Sequence, residues 1–186
     1  NPCILDYGAG HGRWSNAASI AGFKVVAYEP HASRTVEDNN YELALSEEDI
    51  PPYKFDLIWL EQVMEHVKDP YVLLQDVKKY THKDTILRLS VPNINRAKEG
   101  NEIWHQWPYN GKSNHTLAPY QHLQGFTQKS LSKLVHRSGF QQLNSLSLHF
   151  NEPVYKIRLT LGKVFRRGLS TTTFYLMPSS VNNLDS

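Results

Sequence analysis

The stretch Ile4-Leu5-Asp6-Tyr7-Gly8-Ala9-Gly10-His11-Gly12 decides how this chain folds. With Cys3, its first residues form a short apolar run that ends in an acid, which reads as a buried strand. The glycine cluster behind them reads as a tight loop, because glycine reaches backbone conformations closed to other residues. Residues 13–21 then have the composition of a helix, and Gly22 stands where a C-cap glycine belongs. A helix N-terminus behind a glycine loop favours a negatively charged group, and the missing side chains let backbone approach a ligand closely.

Outward from that stretch, residues 23–28 (FKVVAY) read as a second strand ending at Glu29-Pro30. Residues 31–40 are polar and read as a helix, 41–45 as a short third strand, and 46–54 as an acidic, proline-containing loop. Residues 55–60 (FDLIWL) form a fourth strand. Asp69-Pro70 is a helix start, with Asp as N-cap and Pro at the first helical position. Leu73, Val77 and Tyr80 continue it as an apolar stripe. Residues 85–91 (TILRLSV) form a fifth strand stopped by Pro92, and a long polar and aromatic stretch covers 93–125. Thr127 caps a helix with Leu131, Leu134 and Val135 on one face and Gly139 at its end. Residues 140–150 and 171–177 read as two late strands. This alternation implies a parallel α/β sheet with helices on both faces, and the late strands imply an antiparallel pair at one edge.

Composition sets the bounds. The 186 residues suffice for one domain with a full core and fall short of two. Apolar content of 40% and charged content of 20% are those of a soluble globular protein. No apolar run approaches the roughly 20 residues of a membrane span, and no secretory signal pattern opens the chain. Cys3 is the sole cysteine, so no internal disulfide forms, and a cytoplasmic location is expected. From Pro153 onward Lys156, Arg158, Lys163, Arg166 and Arg167 stand against Asp185 alone. Val154, Ile157, Leu161 and Val164 recur among them at helical spacing. This basic tail is either an amphipathic helix crossing back over the sheet or a contact for an anionic acceptor or a membrane surface. No methionine opens the chain, and its first strand starts within three residues. The expectation is one domain over residues 1–186 that lacks an N-terminal cap, with 93–125 as a substrate-side loop insertion.

A glycine loop alone does not separate cofactors, since dinucleotide enzymes use a similar one. Two details disfavour a dinucleotide here. The spacing is Gly-x-Gly-x-Gly, with Arg13 where the dinucleotide pattern has glycine. Asp6 also sits at the strand end, where a carboxylate repels a pyrophosphate but suits the amino group of a cationic amino-acid moiety. Glu29 ends the second strand, where an acid accepts both ribose hydroxyls in either cofactor class.

The runs ILDYGAGHGRW, YEP, FDLIWLEQVMEHVKDP and HLQGFTQKSLSKLVHRSGF, in that order over residues 3–140, together resemble the class I S-adenosylmethionine-dependent methyltransferases. They are most similar to the branch with an FDxI…EHVxDP…HLxxFTxxSL pattern. The resemblance implies a Rossmann-like, doubly wound, mostly parallel seven-stranded sheet with an antiparallel last strand. It also implies S-adenosyl-L-methionine as methyl donor. By it, Asp6, Gly8, Ala9 and Gly10 line the methionine end of the cofactor, and Glu29 with Pro30 the ribose. Leu60 and Glu61, at the end of the fourth strand, complete that wall.

Two departures from the family pattern matter. The Asp that often meets the adenine amino group after the third strand falls here on Ser46, with Glu47 and Glu48 next to it, so a serine or a backbone group substitutes. Some relatives, among them small-RNA 2′-O-methyltransferases and ubiquinone-pathway O-methyltransferases, carry E-x-x-E-H and use it around a divalent ion. The same register here reads Gln62-Val63-Met64-Glu65-His66, and Glu61 lies one residue early. A one-residue shift turns a side chain elsewhere, so no metal is expected.

In open α/β sheets ligands sit outside the carboxyl ends of the strands, where residues 60–66 and 93–125 both lie. The second stretch carries Trp104, His105, Trp107, Tyr109, His115, Tyr120 and His122. These aromatics either pack the loop on the sheet or stack on an acceptor. His66, His105 and His122 are the candidate general bases, because an imidazole takes a proton near neutral pH. For His66, a plain hydrogen-bonding role beside the pocket floor stays open. The expected function is O-methylation of a small-molecule or glycan-type acceptor, an anionic one if the basic tail takes part. Alternatives are an RNA methyltransferase, disfavoured by Gln62 in its metal-dependent form; a non-catalytic S-adenosylmethionine-binding module of a larger protein; and a dinucleotide oxidoreductase.

Overall fold

The computed structural model describes residues 2–31, 40–94, 121–143 and 171–179. The strands are β1 (Cys3–Tyr7), β2 (Lys24–Tyr28), β3 (Glu42–Ala44), β4 (Phe55–Glu61), β5 (Thr81–Pro92), β6 (Phe140–Gln142) and β7 (Thr171–Pro178). The helices are α1 (Arg13–Ile20), α2 (Pro70–Lys78) and α3 (Gln128–Arg137). One sheet holds all seven strands in the order β3-β2-β1-β4-β5-β7-β6. The first five run parallel, and β7 lies antiparallel between β5 and β6. The expected architecture, antiparallel late strands included, is the one observed.

The caps follow local chemistry. Gly12 adopts the left-handed conformation at the start of α1, and Gly22 closes that helix at φ 89. The Asp69 carboxylate accepts the N–H groups of Tyr71 and Val72, with Pro70 at the first helical position. Thr127 and Ser130 exchange side-chain and backbone hydrogen bonds at the start of α3.

Alternation along the buried strands divides the core between the two sheet faces. Leu5, Ile58, Leu60, Leu87 and Leu89 meet Leu74 and Val77 of α2 and Leu131 and Val135 of α3. The opposite set, Ile4, Val25, Leu57, Trp59 and Ile86, packs on Ala18 of α1.

Some boundaries differ from expectation. β5 begins at Thr81 rather than at residue 85, with a register shift against β4 between Phe55 and Leu57. Thr85 closes that irregularity by donating its hydroxyl to the Phe55 carbonyl and accepting the His82 N–H. The polar His82-Lys83-Asp84 conceals this strand start in the sequence. The loop over 46–54 contains a single 3₁₀ turn, Glu47–Asp49. The helix expected over 31–40, most of the 93–125 stretch, most of the strand expected over 140–150 and the basic tail fall outside the described residues.

Strand order reverses between β1 and β4, since β2 and β3 extend to one side of β1 while β4 and β5 extend to the other. Such a switch point opens a crevice at the carboxyl ends of its two strands. The glycine loop leaves β1 there, and residues 62–66 leave β4.

Candidate functional site

Asp6 ends β1 at 4% exposure, and Ser15 of α1 donates its hydroxyl to the carboxylate at 2.6 Å. The loop that follows is held by backbone. Gly8 and Ala9 both donate their N–H groups to the Tyr28 carbonyl, at 2.8 and 2.9 Å, so the loop is tied to the end of β2. Gly8 has φ 80, and a side chain there meets Val63 Cγ2 at 2.6 Å. The β1 and β4 loops therefore touch at Gly8. At Gly10, by contrast, a Cβ would find no atom of a more distant described residue within 4 Å, so the loop crest is open.

Glu29 reaches across this crest. Its carboxylate accepts the Gly10 N–H at 2.7 Å and the His31 N–H at 3.2 Å, one on each oxygen. Each oxygen keeps a lone pair for a further donor. Pro30 follows at the rim, half-buried. Tyr7 packs against Tyr28 with ring centroids 4.6 Å apart and planes tilted by 59°, and donates its hydroxyl to Glu47 at 2.6 Å. Burial, then the bond to Glu47, pushes the Tyr7 phenol far above its ordinary value. Ser46 is turned inward on its own turn: its hydroxyl and its N–H both donate to Asp49 at 2.9 Å. Those bonds hold the Asp49 carboxyl below the usual carboxylate range.

On the β4 side, Leu60 is fully buried in the core. Glu61 pairs with Arg88 of β5, and that guanidinium lies over the Trp59 ring at 4.2 Å. Gln62 follows in the left-handed region at φ 54 and donates its N–H to the Ser90 carbonyl at 2.9 Å. This turn sends Glu61 and Gln62 in different directions.

Residues 64–66 form a 3₁₀ turn in which Glu65 is buried and His66 exposed. The Glu65 carbonyl accepts the N–H groups of Leu123 and Gln124, bringing the segment before α3 against the turn. The His66 and His122 rings meet edge to face, with centroids 4.9 Å apart. Burial above all pushes the Glu65 carboxyl up to about 7. Donor atoms of Glu65, His66 and His122 gather within 4.8 Å of one another. His66 Nε2 stands 3.9 Å from Glu65 Oε1, wider than the ~3.4 Å between neighbouring ligands of a tetrahedral site on bonds of about 2.1 Å.

Of the expected site residues, Gly8, Ala9, Gly10 and Glu29 lie together around the loop, Asp6 is buried below it, and Tyr7 bonds Glu47. The side chains of Ser46 and Glu61 are engaged elsewhere, by Asp49 and Arg88. His66 and His122 meet; His105 lies outside the described residues. Sequence reasoning missed Ser15, Tyr7, Arg88 and the burial of Glu65. Ser15 had a signal, since a hydroxyl in the first turn of the helix faces the strand end it follows. Arg88 had none, because its partner lies 27 residues away.

A family model described as a methyltransferase domain matches residues 1–145. No curated protein matches the chain. Several solved structures share its fold. A Burkholderia thailandensis 1,6-didemethyltoxoflavin-N1-methyltransferase, solved with bound 1,6-didemethyltoxoflavin and S-adenosylhomocysteine, is 15% identical at a TM-score of 0.62. The match covers 96% of this chain and 72% of that one. A plantazolicin methyltransferase, solved with a pentazolic desmethylPZN analogue and S-adenosylhomocysteine, is 13% identical at a TM-score of 0.68, over 96% and 77% of the two chains. A (4+2)-cyclase is 11% identical at a TM-score of 0.61, over 96% and 76%.

Proposed function

This chain belongs to the methyltransferase-domain family, and we propose that it transfers the methyl group of S-adenosylmethionine to a hydroxyl oxygen of a small-molecule or glycan-type acceptor. The observation that carries this reading is the carboxylate pair around the glycine loop. Asp6 stands below the crest, and Glu29 spans it with a lone pair left on each oxygen. A buried acid at the strand end suits a ligand ammonium, and a bidentate acceptor beyond the loop suits a ribose diol. A pyrophosphate in the same place would meet the Asp6 carboxylate. The S-adenosylhomocysteine complexes of two fold neighbours support the same cofactor.

In this reading Asp6 holds the ammonium, the backbone of Gly8, Ala9 and Gly10 lies along the methionine moiety, and Glu29 takes the ribose hydroxyls. Glu47, fixed by Tyr7, stands on the adenine side in place of Ser46. S-adenosylmethionine supplies a methyl carbon already activated by its positively charged sulfur. The chain's own part is to align the acceptor, exclude water and take a proton. In this reading His66, in the turn after β4 with the His122 ring against it, takes that proton. No divalent metal is needed; full loss of turnover in chelator, restored by magnesium or manganese, overturns that point.

The test is incubation of the protein with methyl-labelled S-adenosylmethionine and a panel of hydroxylated small molecules, glycans and RNA. Label in a hydroxylated small molecule or glycan supports the reading, and label in RNA alone replaces it. A second reading, a cofactor-binding module without turnover, draws on the engagement of Ser46 and Glu61 by Asp49 and Arg88. S-adenosylhomocysteine binding with no label transferred to any acceptor favours it.

A further inference from the structure

Glu65 is 1% exposed, and among the described residues neither of its carboxylate oxygens has a hydrogen-bond donor. That is a costly state for a buried acid. Backbone holds it there: its carbonyl accepts the Leu123 N–H at 2.7 Å and the Gln124 N–H at 3.1 Å. His66 Nδ1 lies 2.8 Å from the Gln121 carbonyl oxygen. A carbonyl only accepts, so Nδ1 carries the proton of the neutral ring and Nε2 carries a lone pair. That Nε2 is the atom 3.9 Å from Glu65 Oε1. Once Glu65 is ionised, two acceptors face each other, and the pair lacks a positive charge.

The geometry points to Glu65 as a positioning residue for His66: its buried carboxylate steadies the imidazolium formed when His66 Nε2 takes the proton of the methyl acceptor's hydroxyl. This rests on the methyl-transfer reading above and deepens it. The acceptor O–H bond breaks and an N–H bond forms at Nε2. The oxygen's electron pair forms the new O–C bond to the methyl carbon. The C–S bond breaks with its electrons left on sulfur, which becomes neutral. The positive charge thus passes from sulfur to the imidazole, where the carboxylate waits. Exposure divides the roles: the His66 side chain is 43% exposed and meets the acceptor, while Glu65 lies behind it. The groups acting on the buried Glu65 carboxyl are its own backbone N–H and then His66, which favour its charged form, and Glu61, which opposes it. His122 adds its ring against His66.

The coupling is reciprocal, so it is read on the acid. Carboxyl ¹³C NMR of the full chain is expected to show Glu65 binding its proton about threefold or more tightly in His66→Gln than in wild type. A proton affinity unchanged within about 1.5-fold overturns the proposal. Ring ¹⁵N shifts of the wild type need no variant: a neutral His66 protonated on Nδ1 agrees, and one protonated on Nε2 overturns it. Stoichiometric Mn²⁺ that broadens both ring signals, and loses this effect in Glu65→Gln, overturns it too, because the missing charge is then a metal. With any acceptor the wild type methylates, Glu65→Gln is expected to lower kcat about tenfold or more with the acceptor KM within about twofold. An unchanged kcat contradicts the role. S-adenosylhomocysteine is titrated into the same wild-type sample, so a failed cofactor reading shows apart from a failed Glu65–His66 coupling.

Discussion

The Ser15 hydroxyl donates to the Asp6 carboxylate at 2.6 Å, tying the first turn of α1 back to the strand end before the glycine loop. Both residues are buried, so the bond fixes the loop from its two ends. Replacing Ser15 by Ala removes one donor from a buried acid. The expected cost is about 2 kcal/mol of stability, measured by chemical denaturation. A variant as stable as wild type shows that other Asp6 contacts suffice.

Gly8 combines a positive φ with contact against Val63, so Gly8→Ala meets two separate obstacles. The backbone strain costs about 1–2 kcal/mol for a non-glycine residue. The methyl also pushes Val63 away. Adding Val63→Ala relieves the contact and leaves the strain, so melting temperature is expected to recover in part. Full recovery shows that the positive φ carries no cost at this position.

Glu29 is expected to matter for ligand affinity more than for folding. Its acceptors face the loop crest, and Gln keeps one of the two oxygens. In calorimetry Glu29→Ala should bind S-adenosylhomocysteine about tenfold or more weakly, a loss of roughly 1.4 kcal/mol, with Glu29→Gln between it and wild type. Equal affinity in all three proteins removes Glu29 from the site.

The burial of Glu65 has a signature in stability against pH. Its carboxyl stands at about 7 in the folded chain and at 4.5 ordinarily, so the folded chain holds the proton more tightly. That contribution is complete below about pH 4.5 and is lost as pH rises through about 7. Glu65→Gln cannot ionise. Its stability relative to wild type is expected to rise from pH 5 to pH 8, by on the order of 2 kcal/mol. A difference independent of pH contradicts the burial of a titrating acid.

The readable parts of the chain were those specified by neighbours in sequence. The strand, glycine loop and helix of residues 3–21 show themselves within one run, as do the Asp69-Pro70 start and the Thr127 cap. The start of β5 was concealed because an irregularity against β4 lets His82-Lys83-Asp84 stay polar inside a strand. The proposed adenine side was legible only as the run Ser46-Glu47-Glu48, with no choice among them. Deciding it requires knowing that Asp49 takes Ser46 and Tyr7 takes Glu47, one by a local turn and the other across 40 residues. His66 and His122 were each visible as candidates. Their meeting depends on backbone bonds from Leu123 and Gln124 to Glu65, which no spacing rule anticipates.

The most direct measurement is calorimetric titration of the full 186-residue chain with S-adenosylhomocysteine and, separately, with NADH. One S-adenosylhomocysteine per chain with a dissociation constant on the order of micromolar, and no heat from NADH, is the expected result. Binding of NADH with no response to S-adenosylhomocysteine contradicts the assignment of Asp6 and Glu29 to a methyl donor.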